Sequence, residues 1–182
     1  MSVLRNSKIA ILAMILMIVG GTLVGSHNSL MEIREDTSAI FTMGVRGDGI
    51  GIQGDLNERS AAAYNMVVIA RKYLPEENAL IQNVLSARLA LGSSDSVREK
   101  ARANRALDTA VKDLFDVLNG MTLAEQDARY PQRLYTDFRS RGDTISHDPY
   151  NQEAAAFNRT LSGFPAGFLG GLTGVKPLEI FD

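Results

Sequence analysis

The chain opens with residues 9–25, IAILAMILMIVGGTLVG, which hold no charge and nothing more polar than Thr22. Beyond them, apolar residues recur at helical spacing in one segment after another. In NSLMEIREDTSAIF (28–41), Leu30, Ile33 and Ser38 fall near one side, with Glu32, Glu35 and Asp36 outward. The first helix is therefore predicted to continue out of the apolar stretch. Glycines 44, 47, 49, 51 and 54 interrupt the pattern. A new helix is predicted from Asp55, which stands at capping-box spacing from Glu58 and leads into Leu56, Ala63, Val67, Ala70 and Leu74. Pro75 breaks it, and Glu76 and Glu77 suit the start of the next, striped by Leu80, Val84, Ala87 and Leu91. Gly92 and the turn Ser93-Ser94-Asp95 close that helix.

Ser96 and Glu99 form a second capping box. The helix they open is predicted to run to about Asn119, with a coiled-coil-like seam of Leu107, Val111, Leu114 and Leu118. Gly120 stops it, and Thr122 with Glu125 forms a third box. Pro131 begins a further helix with Leu134, Phe138 and Ile145 on one side. Asp148-Pro149 caps a last one carrying Tyr150, Ala154, Phe157 and Leu161. No stretch alternates as a strand would. The predicted fold is all-α, an N-terminal transmembrane helix followed by an antiparallel long-helix bundle. Residues 1–8 form a cytoplasmic tail, 9–25 the span, and 26–163 the bundle with a glycine-rich insertion at 44–54. Residues 164–182 are read as an irregular C-terminal tail laid over the bundle end, which would cover Phe164, Phe168 and Phe181.

Seventeen helical residues reach about 26 Å, the short end for a hydrocarbon core of about 30 Å. Nine of the seventeen are Ile, Leu or Val, which together favour insertion by about 3–5 kcal/mol. Val24-Gly25-Ser26 offers a cleavage point for a signal peptide, but the apolar stretch exceeds the usual signal length. The segment is read as an uncleaved anchor, marked along its length by Ile9, Ile15 and Val24. Arg5 and Lys8 precede it with no acid near, so the N-terminus is placed in the cytoplasm and the body outside.

Composition narrows the chemistry. There is no cysteine, and His27 and His147 stand far apart, so thiolate chemistry is excluded and a zinc site would need mostly carboxylates. Net charge is −2, and the chain offers no general attraction for nucleic acid. Gly49, Gly51 and Gly54 match G-x-G-x-x-G, the dinucleotide-loop spacing. That loop needs a strand before it and a second strand after its helix, and neither is predicted. The glycines are read as a turn-rich joint, and no cofactor is expected.

Two groups of residues stand out as candidate contacts. Arg98, Arg102 and Arg105 form one basic stripe, either a solvated face or a docking surface for anionic lipid headgroups or an acidic partner. Asn65, Asn151 and Asn158 lie on otherwise apolar faces, where they are expected to hydrogen-bond between helices or to line a ligand site. His147 and Asp148 find no third group to complete a catalytic site.

Several stretches together resemble the LemA family. HNSLMEIRED just after the span is similar to that family's opening. In IQGDLNERSAAAYNMVVIARKYL, residues Leu56, Arg59, Asn65, Val68 and Tyr73 fall at the spacing of its next signature. Val84, Ala87 and Arg88 fit the continuation, Tyr130-Pro131 with Phe138 its YP…F segment, and YNQEAAAFNRTLSGFP with Phe181 its close. The chain departs from the family in its glycine insertion, in Phe41 where a Trp is usual, and in His147-Asp148-Pro149 before the closing Tyr-Asn. The resemblance implies a bacterial protein with an N-terminal membrane helix, a long-helix bundle and no established enzymatic activity. Some members of the family are read with the opposite orientation, and relatives occur in magnetosome membranes.

The function expected is that of a non-enzymatic, membrane-anchored helical binding or scaffold protein of the bacterial cell envelope. Its partners would be the lipid bilayer and a protein in the membrane or envelope. The alternatives are an accessory subunit of a membrane protease or assembly complex, or a metal-carboxylate enzyme inside the bundle.

Overall fold

The computed structural model describes residues 7–45 and 51–182. Among them every regular element is a helix, and no strand occurs. Arg5 and the glycines at 47 and 49 lie outside the described residues.

The chain divides into two compact units, Met1–Ser38 with Gln152–Leu178 and Ala39–Asn151 with Glu179–Asp182. The first unit contains most of α1 (Ser7–Met43) and of α7 (Tyr150–Ser162), together with α8 (Ala166–Thr173). α1 is unbroken, as predicted, but its covered positions differ from those expected. Leu30, Thr37 and Phe41 are buried, whereas Ile33 and Ser38 are exposed. α8 lies inside the stretch read as irregular; beyond it residues 174–182 form no helix. Along that segment Val175, Leu178 and Phe181 are buried, one residue in three. The expectation that all three phenylalanines would be covered fails for Phe164 and Phe168, which are exposed.

The second unit is the bundle. It holds α2 (Ile52–Ala70), α3 (Ala79–Ser93), α4 (Val97–Gly120), the short α5 (Glu125–Ala128) and α6 (Tyr130–Ser146). α2 packs on α6, α3 and α4, and α4 packs on α3 and α6. The seam residues Leu107, Val111, Leu114 and Leu118 meet Leu56, Met66, Val67, Ile81, Val84 and Phe138 in one closed core, each nearly inaccessible to water. Burying such side chains contributes about 1.5–3 kcal/mol each, which the ordering of the chain largely offsets.

Helix starts were legible where the cap is local and misread where its side chain has another partner. Ser96 and Glu99 form the predicted reciprocal capping box of α4. Asp55 does not cap α2. Gly51 stands at the N-cap, and Asp55 turns inward to pair with Arg141 at 3.0 Å. Glu76 and Glu77 do not begin α3, because Asn78 caps it by accepting from Leu80 N–H at 2.9 Å. The Thr122–Glu125 box does not form: Ala124 is the N-cap of α5, and its N–H donates to Tyr73 Oη at 3.0 Å. Asp148 accepts from Tyr150 N–H at 2.8 Å, as Asp-Pro spacing predicts.

Gly44 and Gly51, near the two ends of the described chain around the joint, come close together. Gly44 has φ of +72°, in the left-handed region that favours glycine. A Cβ at Gly51 would stand 2.6 Å from the Ile40 carbonyl and 2.7 Å from that of Phe41. Gly51 thus lets α2 begin directly against the end of α1. Among the described residues the element before the joint is the helix α1, where a dinucleotide loop would follow a strand.

Candidate functional site

Three features with functional chemistry emerge from these elements. The first is the N-terminal part of α1. Ten large apolar side chains between Ile9 and Val24 are 40–71% exposed, Ile15 at its middle included. An apolar patch of this extent is rare on a soluble monomer. The helix is long and apolar enough to cross a membrane by length and composition.

The second is a cleft of about 460 Å³ in the bundle unit, built around a residue that composition alone would place at the surface. Arg59 of α2 is only 2% exposed. Its guanidinium lies 4.0 Å from the centre of the Phe138 ring and donates to Asp108. Gly142 of α6 makes room for it, since a Cβ there would meet Nη1 at 3.0 Å and Cζ at 3.3 Å. Burial pulls the Arg59 guanidinium below its ordinary pKa, and the Asp108 carboxylate opposes that pull. Among the described residues, Arg59 Nε and Asn104 Oδ1 are buried without a hydrogen-bond partner. Arg105, Arg139 and Asp143 line the same cleft. Guanidinium, amide and carboxylate groups in one wall suit a polar ligand able to donate and accept. The spacing Leu56-Arg59-Ala63 was the available signal, because it puts a cation on the apolar stripe of α2.

The third is the grip on the C-terminal segment. In the first unit, the Asn158 amide donates to Leu178 O and accepts from Leu178 N–H, both at 2.8 Å. In the second, Asn151 donates to Phe181 O at 2.7 Å and accepts from Phe181 N–H at 2.8 Å. Each side-chain amide acts as a peptide group would in a ladder. These asparagines were expected to hydrogen-bond between helices; they bond instead to the backbone of the non-helical tail. Asn65 does not join them; it is exposed on the rim of a separate cleft.

Arg98, Arg102 and Arg105 are all exposed on α4, and Arg105 also lines the Arg59 cleft. The Arg98 backbone N–H donates to Glu179 at 3.0 Å, leaving its side chain outward. His147 is exposed and bonds only its own helix end. Among the described residues, no group of three or more His, Asp or Glu is placed to hold a metal ion.

A family model for the LemA family matches residues 50–182. The chain belongs to the LemA family. The match takes in the bundle helices, both asparagine clamps and the Arg59 cleft, and begins after α1. LemA membership goes with membrane-associated bacterial proteins, in keeping with the uncovered apolar helix. No curated protein and no solved structure matches this LemA chain.

Proposed function

We propose that this LemA protein is a non-enzymatic, single-pass membrane protein whose helical bundle serves as a binding or scaffold module at the bacterial cell envelope. The observation that carries the proposal is α1, whose apolar side chains from Ile9 to Val24 find no cover within the described chain. Lipid is the solvent that suits them. Lys8 at the start of the helix and Glu32, Glu35 and Asp36 beyond the span support a cytoplasmic N-terminus with the body outside. The exposed Arg98–Arg102–Arg105 stripe and the polar cleft favour a second emphasis, that of an accessory subunit docked on a membrane protease or assembly complex.

Alkaline carbonate extraction of bacterial membranes tests the anchor. The full-length chain is expected to stay with the pellet, and its release to the supernatant would refute anchoring. Protease added to intact spheroplasts is expected to cleave the body. Protection of the body there, with cleavage only after lysis, would reverse the orientation.

A further inference from the structure

We infer that α8 is a second membrane contact, an apolar foot seated in the lipid–water boundary beside the exit of α1. The inference rests on the reading of α1 as a membrane span. It is carried by what the first unit places together. Pro165, Ala166 and Leu169 share a cleft with Gly25, Ser26, Ser29 and Leu30. Gly170 brings α8 close: a Cβ there would stand 3.5 Å from Leu30 Cδ1 and 2.6 Å from Leu161 Cδ1. The contact begins at the residue after Val24, the last large apolar side chain of the span, and ends six residues on. At 1.5 Å per residue that is within about 9 Å of the span's end, which is headgroup depth.

The opposite side of this foot is apolar and uncovered. Phe164 is 90% exposed, Phe168 63% and Leu172 61%, the last two one turn apart on α8. Gly163 to Val175 contains no charged residue, so nothing in the stretch opposes contact with lipid. Aromatic rings are favoured at the lipid–water interface. The foot also answers a shortfall. The span reaches about 26 Å where the hydrocarbon core is about 30 Å, and an apolar collar at the exit end extends the match. The unit sets a gradient as well. The start of α8 lies with Gly25–Leu30, whereas the carbonyl of Lys176 accepts from Arg34 Nε at 2.9 Å, further along α1. Phe164 therefore sits deepest, Phe168 next and Leu172 shallowest.

The cysteine-free sequence makes the test direct, because one introduced cysteine takes one label. Full-length Phe164→Cys, Phe168→Cys, Leu172→Cys, Ile15→Cys and Leu89→Cys variants carry an environment-sensitive fluorophore in phosphatidylcholine–phosphatidylglycerol vesicles. Nitroxide lipids labelled near the headgroup or deep in the acyl chain, and aqueous iodide, serve as quenchers. The label at 15 is expected to lose emission to the deep nitroxide and the label at 89 to iodide. Labels at 164 and 168 are expected to lose emission to the shallow nitroxide, more at 164 than at 168, with 172 weakest. Iodide quenching at 164 and 168 with deep quenching at 15 overturns the foot and leaves the anchor. Loss of deep quenching at 15 overturns both. Shielding at 168 from every quencher, with disulfide crosslinking between two copies of Phe168→Cys, would mean that a second copy covers this face, and also overturns the foot.

Discussion

Arg59 and Gly142 form one device at the scale of single residues. The buried guanidinium is held between the Phe138 ring, Asp108 and the bare Cα of Gly142. Gly142→Ala is expected to destabilise the fold, because overpacking costs about 1–3 kcal/mol and the helix propensity gained returns only about 1 kcal/mol. Urea unfolding of the two proteins reads the difference. Asn158→Ala removes both bonds to Leu178 and is expected to cost about 1–3 kcal/mol, whereas Asn65→Ala on the exposed rim is expected to stay within about 0.5 kcal/mol. Equal effects in thermal melts would contradict the clamp. Lys72 Nζ and Tyr73 Oη donate to the two oxygens of Asp127 at 2.8 Å each, and these bonds hold its carboxyl below the usual range. A lowered folded pKa gives stability that is present above the unfolded value of about 3.9 and lost as pH falls through the folded one. The stability gap between wild type and Asp127→Asn is therefore expected to be widest near neutrality and to close below about pH 4.

Between elements, the sequence was reliable where a signal repeats over many residues. The α4 seam and the continuity of α1 follow from patterns that sum over several turns, whereas α2 ends at Ala70, short of the predicted Leu74 and the break at Pro75. It was less reliable at helix starts, because a cap depends on one side chain that other groups can claim. Ser96 keeps its box, while Asp55 is taken by Arg141, 86 residues away. Ser96→Ala is expected to cost about 1 kcal/mol, and Thr122→Ala, whose box does not form, within about 0.5 kcal/mol. Chemical denaturation of both variants checks the contrast. α8 escaped the sequence reading because its three glycines have poor helix propensity; Gly170 is the place where α8 closes on Leu30 and Leu161.

For the molecule as a whole, the anchor is the feature on which cellular placement turns. Ile15→Arg introduces a charge at mid-span at a cost of about 2.5–3.5 kcal/mol, against an apolar gain of about 3–5 kcal/mol. The variant is expected to move in large part from the membrane pellet to the soluble fraction, measured by carbonate extraction beside wild type. The sequence by itself determined that this chain is helical, that its first segment is apolar all round, and that the LemA signatures follow in order. These properties are sums over neighbouring residues, so no distant part of the chain need be known. Only the tertiary structure decided which partner each polar group takes. Asn158 reaches a backbone 20 residues on and Arg59 a carboxylate 49 residues on. A hydrogen-bonding side chain looks the same in sequence whichever partner it finds. Packing brings one candidate within 3 Å and removes the rest.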